Sequence, residues 1–237
     1  MSMLTIVQQF CIRSGLQKPT TVVGTTDNQV AQILGLLEEE GNDLAQRGEW
    51  NELLNEASLV TVATESQGAI STIASNGFRH IRNQTIWDRT DRLPILGPIN
   101  GRQWQALKAV QMTGPRYQFR IRGGKLLVNP VPVAGHNWNF EYLSKNWILG
   151  ANGTSYKQYF TLDTDNLLLP EELVLMGLRW RWMREKGFDY SELFNTYEMQ
   201  VKDAISRDGG KPTLYMDGGN RAPTAGIFVP SGSWVVP

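Results

Sequence analysis

The stretch "LPEELVLMGLRWRWMREKG", residues 169–187, decides how the chain is divided. Pro170 suits a first helical turn, and Glu171 and Glu172 complement the positive end of a helix dipole. Gly187 supplies the residue that ends the helix. The helical period puts Trp180 on the face of Leu173, Met176 and Gly177, with Arg181 and Arg184 elsewhere. The expectation is one packed face with exposed arginines. Such a face needs cover.

The cover is sought on both sides of this stretch. Downstream, "DYSELFNTYEMQVKDAISRDGG" steps through Tyr190, Phe194, Tyr197, Val201, Ala204 and Asp208, widened by Ile205, and stops at Gly209 and Gly210. At the other end of the chain, Leu4, Val7, Phe10 and Cys11 form an apolar stripe, ended by Gly15. After the loop "KPTTVVGTTD", Thr26 and Gln29 have capping-box spacing. Val30, Ile33, Leu34, Leu37 and Leu44 then line a helix reaching roughly to Trp50. Glu38, Glu39 and Glu40 are expected mostly on its solvated face.

Between these helices the period changes. "SLVTVATES" is strand-like. In "YQFRIRGGKLLVNP", Tyr117, Phe119 and Ile121 alternate with polar residues, Gly123 and Gly124 make a two-residue turn, and Leu126 to Val128 return. "NWNFEYLSKNW" alternates through Trp138, Phe140 and Tyr142. A short helix is expected near residues 101–110. The predicted fold class is therefore α+β: a helical bundle formed by N- and C-terminal helices, with an inserted β-rich module and an extended C-terminal arm. The boundaries are 1–50 and 165–208 for the two parts of the bundle, 51–164 for the module and 209–237 for the arm.

The arm is too rich in Gly and Pro for a helix and too apolar for an idle linker. Its apolar residues fall in three clusters: Leu214, Tyr215 and Met216; Ile227, Phe228 and Val229; and Trp234 with the valines after it. Each is the size of a short strand that adds to a neighbouring sheet or fills a groove. Side-chain burial alone does not offset the cost of ordering so long a segment. Either only the anchors order, or the docked arm also gains backbone pairing along a partner's groove or sheet edge, and the reading is a partner-docking element.

Net charge is zero, from 23 basic and 23 acidic residues, which argues against a strongly basic nucleic-acid binder. The single cysteine, Cys11, excludes an intramolecular disulfide framework. No apolar run approaches the roughly 20 residues of a membrane helix, and the first residues do not read as a signal peptide. A soluble protein assembled in a cytoplasm is expected, with no membrane partner.

No catalytic, cofactor or metal constellation emerges. His80 and His136 are isolated in sequence, and Cys11 lies on an apolar face. "DTDN", residues 163–166, begins like a calcium loop but lacks the third ligand, the Gly and the closing Glu. No phosphate-loop pattern is present. "RWRWMR", residues 179–184, is the densest basic-aromatic cluster. Core packing is the simpler reading, with Arg179, Arg181 and Arg184 as possible contacts to a DNA channel or an acidic neighbour.

The chain resembles the head-to-tail adaptor proteins of short-tailed bacteriophages. The resemblance rests on "GNDLAQRGEWNEL" (41–53), "NQTIWDRT" (83–90), "RQWQALKA" (102–109), "YQFRIRGGKLLVNP" (117–130), "FEYLSKNWI" (140–148) and residues 169–204, and on the order of the parts. It implies a structural virion protein at the head–tail interface, without an active site or cofactor. It implies a ring, typically of twelve copies, beneath the portal protein, seating the tail nozzle and often fibres, with genomic DNA passing through unread. Besides an enzyme with a dispersed site, two other readings compete. One is a different head-completion or stopper protein. The other is a carbohydrate-binding β module using Trp87, Trp104, Trp138 and Trp147 as platforms.

Overall fold

A computed structural model describes residues 1–82, 84–110 and 116–209; the apolar clusters of the arm lie outside the described residues. The chain is mixed α+β, with antiparallel sheets. It opens with helices α1 (Met3–Arg13) and α2 (Asn28–Arg47). After α1, Gly15 takes φ +68° and Leu16 N donates back to Cys11 O at 2.8 Å, closing the helix through a left-handed residue. Asp27 rather than Thr26 caps α2, its carboxylate accepting from Gln29 N at 2.8 Å. The helix stops at Arg47, short of Trp50. That indole instead turns back, donating from Nε1 to Leu44 O at 2.8 Å, and is buried.

The middle of the chain carries β1 (Leu54–Val60), β2 (Ser66–Ala69), the one-turn helix α3 (Ile70–Ile73), β3 (Phe78–Ile81), β4 (Trp87–Asp88) and β5 (Leu93–Pro94). Helix α4 (Gly101–Val110), β6 (Gln118–Arg122), β7 (Lys125–Asn129) and β8 (Asn137–Ser144) follow. Three two-residue strands come next: β9 (Ile148–Leu149), β10 (Tyr156–Lys157) and β11 (Asn166–Leu167). Helices α5 (Glu171–Glu185) and α6 (Ser191–Asp208) close the described chain.

Strand β8 is the spine of the larger sheet, pairing antiparallel with β1, β3 and β4. Its alternate residues Trp138, Phe140 and Tyr142 point to one side and are all buried. β6 and β7 form the hairpin that the paired glycines promise. Gly123 and Gly124 take φ +58° and +69°, so Arg122 pairs with Lys125.

Two apolar cores result. The first gathers Ile6 and Phe10 from α1, Leu37 and Leu44 from α2, Leu178 and Trp182 from α5, and Tyr197 and Val201 from α6. Helices from both ends of the chain thus bury their faces together. The second lies among the strands, built from Ala57, Phe119, Val128, Trp138, Phe140 and Tyr142. Residues 143–164 divide differently from the sequence reading: Leu143, Trp147, Ile148 and Phe160 join the helical core. The pleat is the reason. Tyr142 and Leu143 face opposite ways on β8, so the strand hands over from one core to the other.

Helix α5 also departs from expectation. Leu173, Val174, Leu175, Leu178, Trp180, Arg181 and Trp182 are all buried, so its solvated face narrows to a stripe through Glu172, Met176, Arg179 and Met183. It is the central helix, packed on α1, α2 and α6.

Candidate functional site

Because α5 buries most of its circumference, Arg181 cannot be the exposed residue that its spacing suggests. It is 5% exposed. Its Nε donates to Glu40 Oε2 at 2.7 Å and its Nη2 to Asp43 Oδ2 at 2.9 Å; Nη1 donates to Glu39. Glu40 is itself fully buried, correcting its expected place on the solvated face, and its other oxygen accepts from the Tyr197 hydroxyl. A buried charge needs a partner and donors, and α2, α5 and α6 each supply one member. Burial pushes the Glu40 carboxyl above its usual range against the opposing pull of Arg181 and Tyr197. Gly177 makes room for it: a Cβ there would lie 2.0 Å from Glu40 Cδ. One residue on, a Cβ at Gly41 would lie 2.2 Å from the Trp147 ring. Of the three arginines read as contacts, Arg181 is therefore committed to the interior, whereas Arg179 and Arg184 are exposed. Arg181 and Arg184 both sit over the Trp180 ring, at 4.7 and 5.3 Å from its centroid.

In the β-rich part, His136, Asp88 and Asp91 converge although 48 residues separate His136 from Asp88 in sequence. Among the described residues this is the group with metal-ligand chemistry. Asp88 is fully buried. Its Oδ1 accepts from the amides of Thr90 and Asp91 at 2.8 and 3.1 Å, and its Oδ2 from His136 Nδ1 at 2.8 Å. Asp91 Oδ2 lies 3.4 Å from the same nitrogen. Both oxygens of Asp88 are already satisfied by protein donors, so the group reads as a clasp between the β4–β5 turn and the start of β8. Burial opposes ionisation of Asp88, but His136 and the Asp91 and Thr90 amides hold it below the usual carboxylate range. Its hydrogen bond to Asp88 raises His136 in turn.

The "DTDN" segment is also occupied by protein donors. Asp163 accepts from the amides of Val22 and Val23, and Asp165 from Lys157 Nζ and the amides of Thr161 and Leu162. These bonds hold both carboxyls low despite burial. Three of the four proposed sugar platforms, Trp104, Trp138 and Trp147, are fully buried; only Trp87 is exposed. Trp138 is turned inward by the strand alternation of β8, Trp104 lies on the inner face of helix α4, and Trp147 joins the helical core between β8 and β9.

One stretch escaped the sequence reading. From Arg92 to Phe140 there is no Asp or Glu, while Arg92, Arg102, Lys108, Arg116, Arg120, Arg122 and Lys125 are basic. Lys108 pairs with Glu65; none of the other six has an acidic partner among the described residues. A regional charge count shows this stretch where the net charge conceals it. Helix α4 lies in this stretch with Trp104 buried beneath it. Among the described residues, an open groove beside it is lined by Leu96, Ile99, Leu107, Val110 and Gln118.

No protein family matches the chain, and no curated protein matches it. No helix among the described residues is long and apolar enough to cross a membrane.

Proposed function

We propose that the chain is a structural virion protein, a head-to-tail adaptor that forms a ring beneath a portal, continues the DNA channel and seats tail components. In this reading the helices of both chain ends form the ring-building bundle, the β-rich part is an inserted module, and the arm from residue 209 docks on a partner. One observation carries it. Helices from the two ends of the chain share a core while the segment between them has a core of its own, which is the order of parts on which the resemblance rests. A structural role is supported by Asp88, Asp163 and Asp165, whose oxygens accept from protein donors.

The test is to add the purified chain to portal particles and view them by negative stain. A ring of added density below the portal is expected; portal particles that stay bare refute the reading. Deleting residues 211–237 is expected to leave the melting temperature nearly unchanged and to abolish ring formation or portal binding. Phe228→Ala and Trp234→Ala should each weaken assembly more than Lys211→Ala, because buried aromatic anchors dominate interfaces.

A further inference from the structure

The corner between α5 and α6 presents an aromatic side chain to solvent on a fixed backbone. Gly187 takes φ +74°, its amide donates to Arg184 O at 3.1 Å, and Phe188 N donates to Met183 O at 3.0 Å. Those bonds close a helix end in which the residue after the glycine ordinarily packs back on the helix. Phe188 is instead 62% exposed. Asp189 and Glu192 flank it, exposed and without a cationic partner among the described residues; Asp189 is held by the Ser191 amide. The nearby Lys186 turns away, donating to Gln32 Oε1 at 2.9 Å and lying over the Trp182 ring. The corner is an apolar knob with two negative charges.

The groove beside α4 has the opposite character. Its floor is apolar, and Arg102 flanks it on α4. Arg116 and Arg120 bracket Gln118, which lines it, at the two-residue period of a strand. The two surfaces are far apart within one copy. The corner touches α2 at Gln32, whereas the β-rich part touches it at Ala45 and Gln46, through Arg79 at 2.6 and 3.1 Å. Thirteen residues of helix between Gln32 and Ala45 span about 20 Å. Knob and groove therefore meet only between molecules.

We propose that Phe188 of one copy seats in the α4–β6 groove of the next, with Asp189 and Glu192 facing Arg102, Arg116 and Arg120. The contact is head-to-tail, so each copy offers both halves, and repetition closes a ring where the rotation allows. Charge complementarity sets the register and Phe188 supplies the anchor. This deepens the ring reading and rests on it in taking a second copy as the occupant.

The experiment measures self-association of the full chain by sedimentation velocity. The variants are Phe188→Ala, the acidic-side swap D189K/E192K, the basic-side swap R102E/R116E, and the four changes combined. All these residues are exposed, and unchanged circular dichroism checks the fold. Wild-type association should weaken with added salt. Each swap should lower the association constant about tenfold or more, Phe188→Ala should do the same, and the combined swap should recover most of it. A wild-type chain that stays monomeric at about 1 mM, where even a contact of roughly 4 kcal/mol would register, overturns the contact. So does association unchanged by both swaps, or a combined swap that fails to recover. Association that follows the swaps without portal binding keeps the contact and removes the adaptor reading. Portal binding with association blind to the swaps does the reverse.

Discussion

Glu40 in the helical core and Asp88 in the β core are both fully buried, yet their carboxyls shift in opposite directions. Asp88 sits at a turn, where two backbone amides with no ladder partner point at one oxygen and His136 takes the other. Glu40 sits mid-helix, where every backbone amide is already used. Its donors are two side chains, and one of them, Arg181, is divided among three carboxylates. Burial costs the same kind of energy at both sites. The local supply of donors decides which charge is comfortable.

Removing one partner of each pair should break the comparison open. Arg181→Ala leaves Glu40 buried beside Asp43 without its counter-charge, and is expected to lower unfolding free energy in urea by about 3–5 kcal/mol. The double change R181M/E40Q should cost much less than the single one. A loss below about 1 kcal/mol for Arg181→Ala would mean that water reaches Glu40. Asp88→Ala strands two amides and His136, with an expected loss of about 1–3 kcal/mol. Hydrogen exchange should quicken at residues 85–96 and 133–140 while α5 stays protected. Equal loosening of α5 would show that the two cores unfold as one.

The pH response sharpens the contrast further, with a smaller effect. His136 has a raised pKa in the folded chain, so its contribution is complete below the unfolded value of about 6.5 and fades as pH rises through the folded value. The depressed Asp88 contributes above about 3.9 and is lost as pH falls through its folded value. The clasp should therefore hold best between these limits, and His136→Gln should flatten the upper limb. A stability curve with the same upper limb in that variant would assign it to another group. The smallest effect is expected at Arg184, which shares the Trp180 ring with Arg181 but is exposed. Arg184→Ala should stay within about 0.5 kcal/mol of the parent.

The helices, the Gly123–Gly124 hairpin and the inward residues of β8 were legible because each rests on a short-range rule: a period, a cap, a turn. The wide burial of α5 was partly legible, since Trp180 and Trp182 are two residues apart and cannot share one helical face. The basic stretch was legible to a regional charge count. The buried glutamate was not: a run of three acids on an amphipathic helix ordinarily marks its wet side, and Glu40 is dry only because α5 lies across it with Gly177 at the crossing.

By itself the sequence determined the mixed α+β class, the longer helices, strand β8 and the turn between β6 and β7, since backbone preference and side-chain period act between neighbours. Only the tertiary structure decided that Arg181 belongs to Glu40, that His136 belongs to Asp88, and that residues 143–164 feed the helical core. Each of those joins groups distant along the chain. The energy of a buried charge depends on which donors surround it in space.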